Sequence, residues 1–544
     1  MLWNTYGDHL TSPKPQYRQF ATLYPVPSTQ YPVPSTQYPV PSTQYPVPST
    51  QYPVPTTHSP SPSPCLPMTQ YSRVDIREEV EVVVRIEDFG FTGEGYVRLE
   101  DGWLSVPGAL PGELVRVRLQ EGQREGSRRL FADVVQVLEL SQERRDPLCK
   151  RDEICRGCQL RHLTVAGELR FKVRTVREVM ERYAGLDEKD QPQIEVVTPQ
   201  PTLRGDAFRI RSSLSYRRRG EDFELGLNTA VREELIPMVD CPALVGPVQR
   251  LVASVTQCLS AQRHYPWDEE MVRQVRRRVG DIEISVGIRR VDVVAPNHGV
   301  GLVNILTTEP ENEDHFQREV DGELLAPWLE RLCETVPEKV GVAVSGGGFR
   351  RYVKEPRRIR IPIGKWNMEV GYDDWFHATL EPAESVYARM MEWLELDEGD
   401  RLIDIGCGTG TISLMASEKA QQVVGVDANA ASIEVAEINA VGHGCEHVRF
   451  EVGGWEKVLR NLALDEERFS VATINPMREP LGRRALAFLR QLEVERLVYL
   501  GPSPEAAARD IGELREMGWT VERLAAGNLH PATYHTLLMA KCRR

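Results

Sequence analysis

A chain of 544 residues with a net charge of −13 at pH 7 has room for about three folded domains, and its acidity excludes a non-specific coat on nucleic acid while leaving room for a local basic groove. No apolar run approaches the roughly 18 residues of a membrane span, and the first residues lack the basic-then-apolar pattern of a secretory signal, so a cytoplasmic location and no membrane association are expected. Ten cysteines without such a signal point to a reducing compartment, where thiols are free, catalytic or metal-bound.

Residues 1–71 stand apart. A seven-residue unit, YPVPSTQ, starts at Tyr24, Tyr31, Tyr38 and Tyr45, with a partial copy at Tyr52. Two prolines per unit forbid helix and interrupt sheet, so the segment should be extended and mobile. It reads as a passive tail, as a proline-rich ligand, or as repetitive DNA lying ahead of a true start at Met68. Residues 72–142 then carry short β-runs separated by Gly and Pro: EVEVVVRIE, GYVRLE, GWLSVP, ELVRVRL and FADVVQVLEL. A barrel of about five strands is the economical solution, because closure removes sheet edges.

Residues 143–365 open with Cys149, Cys155 and Cys158 in a C-x5-C-x2-C spacing, and Cys241 follows in VDCPAL. Three clustered thiols and one remote can complete a four-sulfur site. Zinc more often shows paired C-x2-C, an iron–sulfur cluster accepts less regular spacing, and buried free thiols remain a third option. An amphipathic helix reads between Leu163 and Gly185, and a mixed α/β central domain of β-runs with one or two helices fills the rest. Arginines recur there: Arg209 and Arg211, Arg217 to Arg219, Arg276 to Arg278, then Arg357, Arg358 and Arg360. On a strand, Arg209 and Arg211 would share one face, giving either a phosphate-binding stripe or a solvated edge.

Residues 366–544 alternate strand and helix, as in a doubly wound, Rossmann-like domain. Its centre is RLIDIGCGTGTISLMAS, in which an apolar strand runs through Asp404 into a turn containing Gly406, Gly408 and Gly410. Glycines between strand and helix let a ligand approach the backbone closely. Asp427 ends the next strand, where a carboxylate accepts from ribose hydroxyls.

The GxGxG spacing behind Asp404 resembles the S-adenosylmethionine (SAM) loop of class I methyltransferases. Val106–Glu113, VPGALPGE, with the Gly-Glu-Gly at 93–95, looks like the TRAM domain, an OB-like RNA-binding β-barrel. A TRAM barrel, the cysteine spacing and a SAM domain in this order resemble the TRAM-containing RNA uracil-C5 methyltransferases from about Ser72 to the C-terminus. The resemblance implies a [4Fe–4S] cluster on Cys149, Cys155, Cys158 and Cys241, and a structured RNA partner, rRNA or tRNA, gripped in part by the central domain. It also implies a SAM site on Asp404, Gly406, Gly408, Gly410, Asp427 and Asn475, the last in Asn475-Pro476-Met477-Arg478. His377 and Thr379 stand in it where that family usually has Gln and Asn.

Uracil C5 is a weak nucleophile, so its methylation needs a thiolate to add at C6 and a base to remove the C5 proton. The family carries that Cys in a Ser-Cys-Asn-Pro turn and that base as a Glu in a closing Pro-His-Thr-x-His-Val-Glu motif. Here the matching turn is Gly501-Pro502-Ser503-Pro504, and Leu537 fills the Glu position of HPATYHTLL. Cys407 sits inside the Gly-rich turn, where packing is its expected role, and Cys445 and Cys542 have no base beside them in sequence. Two functions follow: a SAM-dependent RNA methyltransferase that avoids the Cys-adduct route, or a non-catalytic RNA-binding or assembly factor derived from one.

Overall fold

The structure is a computed structural model that describes residues 81–99, 102–119, 129–147, 149, 155, 157–198, 207–219, 222–228, 235–260, 288–297, 299–310, 312–322 and 325–544. The heptad repeat, Met68 and Arg276 to Arg278 lie outside the described residues.

The first sheet contains β1 (Glu81–Arg85), β2 (Asp88–Phe89), β3 (Gly95–Leu99), β4 (Gly102–Val106), β5 (Leu114–Leu119) and β6 (Arg129–Glu139), in the order β1-β5-β6-β4-β3-β2. Five of these are the β-runs legible in the sequence; the sixth is the two-residue β2. Alternate residues Val82, Val84, Val115, Val117 and Leu104 turn to one buried core, the period-two pattern of a one-sided sheet. Glu113, fully buried ahead of β5, accepts from Leu110 N–H at 2.8 Å and from Arg144, which ties this sheet to the chain that leaves it.

A helix from Val165 to Ala184 follows. Thr164 caps it by accepting from Gly167 N–H, and Gly185 closes it at φ 60°, a left-handed conformation that glycine adopts freely. Beyond it, β7 (Ile194–Val197) leaves the central region to join a distant sheet.

The second sheet takes β8 (Arg211–Arg219), β9 (Asp222–Asn228), β10 (Leu235–Pro237), β11 (Ile288–Asn297), β12 (Val300–Thr307), β13 (Lys339–Gly346) and β14 (Phe349–Lys354), ordered β10-β9-β8-β11-β12-β13-β14. Helices Gly246–Ser260 and Ala326–Thr335 share one apolar core with it through Val248, Val252, Trp328 and Leu332. A hairpin of β15 (Ile359–Ile363) and β16 (Trp366–Val370) straddles residue 366, where the sequence reading starts the last domain. The hairpin packs by Ile361 and Met368 into the core of that domain, so the change of fold precedes the change in sequence pattern.

The third sheet holds β17 (Arg401–Ile405), β18 (Gln422–Asp427), β19 (Val448–Val452), β20 (Val471–Ile474), β21 (Arg496–Gly501), β22 (Thr520–Gly527) and β23 (Leu537–Arg543). Its order is β19-β18-β17-β20-β21-β23-β22-β7, with β17 to β21 parallel and β23 antiparallel. Leu402, Ile403 and Ile405 are fully buried in the middle of the parallel set, which is why β17 reads as a continuous apolar run. β7 pairs parallel with β22, so residues from the first half of the chain close the sheet of the second.

The helix Val165–Ala184 joins these parts. Val176, Val179 and Met180 pack into the core of the third sheet. One turn earlier its Glu168 and Lys172, both buried, form an ion pair at 3.2 Å. Lys172 also donates to Asn528 Oδ1 at 2.5 Å and to the carbonyls of His530 and His535. Glu168 accepts from Asn528 Nδ2 and Ala532 N–H, each at 3.0 Å. Lys172→Met leaves Glu168 buried and unpaired and should lower the unfolding free energy by about 3 kcal/mol or more, whereas adding Glu168→Gln should recover a large part of that loss. Denaturant melts of the single and double variants check this.

Candidate functional site

The carboxyl ends of β17, β18, β20 and β21 open onto one edge, and the antiparallel β23 begins there because Leu538 pairs with Gly501. Gly406, Asp427, Asn475, Pro502 and the 528–536 loop therefore meet at one place, although about 130 residues separate the first from the last.

The three loop glycines do different work. Gly406 has φ +82°, and a Cβ there would overlap the carbonyl of Asn475, so β17 and β20 approach closely only through glycine. Gly410, at φ +85°, is walled by Phe450, Ala436 and Leu414. Gly408 faces open space, as a position beneath a ligand must.

Asp404 is wholly buried and accepts from Ser413 Oγ at 2.6 Å and Thr473 Oγ1 at 2.7 Å. Burial raises its carboxyl to about 6 against the pull of those two hydroxyls. Its oxygens are committed to the helix that follows the glycine turn and to β20, so Asp404 braces the turn from below. Asp427 is half-buried and accepts from Gly408 N–H at 3.0 Å and Asn429 N–H at 2.9 Å, beside the glycine turn. The peptide N–H of Asn475 donates to the Ile405 carbonyl at 2.8 Å, which fixes the Asn-Pro turn against the loop.

His377 and Thr379 lie behind this edge. His377 is buried, its Nε2 is 2.6 Å from the Tyr387 hydroxyl, and desolvation lowers it to about 4, so it is neutral at pH 7. Thr379 donates to the Leu529 carbonyl and so holds the 528–536 loop. Trp375, half-exposed, packs edge-on against His377 with ring centroids 4.6 Å apart.

Pro502 sits just past β21, where Ser503 and Pro504 begin the helix Pro504–Glu516. Leu537 points into the apolar core beside Val386 and Gly527. Neither position offers a nucleophile or a carboxylate. Burial pushes Cys407 well above the ordinary thiol range, with Asp404 and Asp427 adding to the shift, and Cys542 is pushed up to about 12.

His535 lies in the HPATYHTLL stretch that resembles the family's closing motif; its pairing with His530 emerges only in the fold. His530 and His535 meet edge-to-face at 5.7 Å. Burial lowers both, His530 to about 3, and the charges of Arg209 and Lys172 act on each in the same sense, with Arg478 acting on His535. This edge thus combines a glycine-rich turn, the Asp427 carboxylate and two imidazoles among cations.

The cysteines come together across the central region. Cys158 and Cys241 each feel the charges of Cys149 and Cys155, and Arg209 draws both thiols down against a desolvation that raises them. Arg161 donates to the carbonyls of Cys155 and Cys158 at 2.7 and 2.8 Å. No three His, Cys, Asp or Glu side chains among the described residues group tightly enough to hold one metal ion. Next to Cys158, Leu160 N–H donates to the Ala532 carbonyl at 2.9 Å, so the cysteine segment is bonded to the 528–536 loop.

The arginine stripe does not form. Arg211 turns inward and donates to the Asp374 carbonyl at 2.7 Å. Arg209 lies ahead of β8 and faces Cys158, Cys241 and the two histidines. Arg357, Arg358 and Arg360 pair with Glu355, Glu434 and Glu369.

Residues 396–500 match the family model described as "Methyltransferase domain". Over 492 residues the chain is 26% identical to an uncharacterised RNA methyltransferase of Caldanaerobacter subterraneus, covering 87% of this chain and all of that one. It is 24% identical to the 23S rRNA (uracil(1939)-C(5))-methyltransferase RlmD of Pseudomonas aeruginosa over 461 residues, 84% of this chain and 92% of that one. The crystal structure of the Pyrococcus abyssi tRNA (uracil-54, C5)-methyltransferase with S-adenosyl-L-homocysteine superposes with a TM-score of 0.59 at 20% identity, covering 85% of this chain and all of that one. This chain has that fold. No described helix is long and apolar enough to cross a membrane.

Two outcomes follow. Gly406→Ala should abolish binding of S-adenosylhomocysteine measured by calorimetry, because it meets both a forbidden φ and the Asn475 carbonyl. His377 and His530 should make the fold acid-labile. Their folded values lie below the ordinary 6.5, so the unfolded chain takes up protons that the fold refuses as pH falls from about 6.5 toward 4. Each should cost on the order of 2 kcal/mol at about pH 5, and His377→Gln should flatten the pH dependence of denaturant melts.

Proposed function

We propose that the chain is a SAM-dependent methyltransferase of structured RNA, rRNA or tRNA, that acts without a cysteine adduct. The observation that carries this reading is the intact cofactor cradle, Gly406 against Asn475 and Asp427 under Gly408, beside an edge where Pro502 and Leu537 stand in place of nucleophile and base. Bound SAM supplies an electrophilic methyl group on a sulfonium. Transfer to a nitrogen or ribose oxygen of RNA breaks the carbon–sulfur bond, leaves its electron pair on sulfur and frees one proton from the acceptor. Asp427 would hold the ribose, and Gly408 would let the ligand lie on the backbone. His535, kept unprotonated at pH 7, takes the proton.

Cys149, Cys155, Cys158 and Cys241 are the ligands of a [4Fe–4S] cluster in this reading. The C-x5-C-x2-C spacing with one remote cysteine favours the cluster, since zinc more often shows paired C-x2-C. Arg209 and the Ala243 N–H, which act on the Cys241 sulfur, supply the positive environment that thiolate ligands need. The six-stranded sheet is a TRAM-type module that contributes RNA affinity, as in the family the sequence resembles. A second reading, an RNA-binding assembly factor that no longer turns over, draws on the paired loss at Pro502 and Leu537.

The test is methyl transfer from labelled SAM by anaerobically purified protein to total RNA from a strain deleted for this gene, with modified nucleosides identified by mass spectrometry. Label should appear in a nucleoside other than 5-methyluridine, and His535→Gln should cut the rate by about 100-fold or more while leaving S-adenosylhomocysteine binding intact. Label in 5-methyluridine would overturn the route, and no label with RNA binding retained would leave the assembly-factor reading. The same protein should carry about four irons and four sulfides per chain, lost in Cys241→Ser; stoichiometric zinc without iron would remove the cluster.

A further inference from the structure

A cavity of about 240 Å³ lies where the turn of the β15–β16 hairpin meets two helices, Leu380–Leu394 and Thr411–Ala416. Both helices begin beside the SAM edge, at Thr379 and at Gly410. The cavity lies toward their other ends, where Ala388, Met391 and Met415 line it. It is therefore separate from the glycine turn and from the 528–536 loop. Trp366 and Leu396, both buried, form part of its wall, and Met391 and Met415 are half-buried and pack on the same core.

Two features separate this cavity from an ordinary packing gap. Its apolar part is adaptable: two thioethers and an indole line it, and methionines shape themselves to a ring and favour its edge. Its mouth also carries charges of both signs that are not spent on one another. Lys365 is committed, pairing with Glu418 at 2.9 Å and lying 5.6 Å over the Trp366 ring. Glu384 accepts from the Gly364 N–H at 2.7 Å. Yet Glu384 and Lys419 form no ion pair, with each other or with any other described residue. A carboxylate and an ammonium that line one cavity without meeting suit a ligand that carries both charges. The cavity is larger than the roughly 150 Å³ that takes benzene and smaller than the roughly 300 Å³ at which drug-sized sites begin, so it holds one ring with a short polar head.

We propose that this cavity is a binding site for a free aromatic α-amino acid of the size of phenylalanine. The ring enters between Met391, Met415 and Trp366, the ammonium faces Glu384 and the carboxylate faces Lys419. A zwitterion matches both side chains and leaves the mouth neutral, whereas a bare anion or cation leaves one of them unmatched. Such a ligand binds alongside SAM rather than in its place, since neither the Gly406–Gly410 turn nor Asp427 nor Asn475 lines the cavity. The site stands on its own lining and does not rest on the RNA-methyltransferase reading.

The experiment titrates the full chain with L-phenylalanine by calorimetry, with and without saturating S-adenosylhomocysteine. Binding should saturate with a dissociation constant below about 1 mM in both cases. Ala388→Trp and Met415→Trp should each abolish it by filling the cavity; Ala388 is exposed, so its variant should keep the wild-type unfolding midpoint even if the half-buried Met415 variant does not. Glu384→Gln and Lys419→Gln should each weaken binding about threefold to fivefold, the worth of a charge that faces solvent. Phenethylamine should respond only to Glu384→Gln, and phenylacetate only to Lys419→Gln. No binding at about 10 mM phenylalanine by protein that still melts cooperatively overturns the site. Unchanged binding in both tryptophan variants puts the amino acid elsewhere and overturns it too, as does competition with S-adenosylhomocysteine. If uncharged N-acetylphenylalaninamide binds more tightly than the free amino acid, the cavity takes a side chain of a peptide partner and the proposal falls.

Discussion

The buried pair of Glu168 and Lys172 is the constraint on which the arrangement of this protein depends. A lysine and a glutamate removed from water are tolerable only if each finds further partners, and all of those partners lie on one loop, residues 528–536. Burial pushes the Lys172 ammonium down and Glu168 draws it back. The pair therefore contributes geometry more than net stability. It holds the last loop of the chain against a helix that precedes the central region.

That loop is also gripped from two other directions. Leu160 N–H reaches Ala532 from the cysteine segment, and Thr379 reaches Leu529 from the approach to the SAM edge. Tyr534 packs with Leu160 and Leu163 beside Phe89 and Leu110 of the first sheet. The cofactor edge, the cysteines and the first sheet thus share a single junction. The Leu160–Ala532 hydrogen bond links the cysteine segment to the loop that carries His530 and His535.

The departures from the usual uracil-C5 chemistry sit at positions where the fold is undisturbed. Leu537 completes an apolar core that a carboxylate would have to desolvate to enter, and Pro502 leads into a helix whose first residues, Ser503 and Pro504, suit a helix start. The same edge holds the three loop glycines, Asp427 and the two imidazoles of His530 and His535.

Local pattern in the sequence determined a good deal. Gly406, Gly408 and Gly410 behind an apolar strand announce a turn open to a ligand, since only glycine adopts that backbone there. Thr164 and Gly185 bound their helix, and alternating valines define the first sheet, because capping and period are short-range properties. The tertiary structure decided what depends on partners distant in the chain. Nothing local tells that β7 crosses to the third sheet, that Arg211 turns inward to Asp374, or that His530 is kept neutral by burial and by Arg209. Nor does Asp404 reveal from sequence that its oxygens serve Ser413 and Thr473, while Asp427 stands beside the glycine turn. Charge state and contact follow from desolvation and neighbours, and those exist only once the sheets have closed on one another.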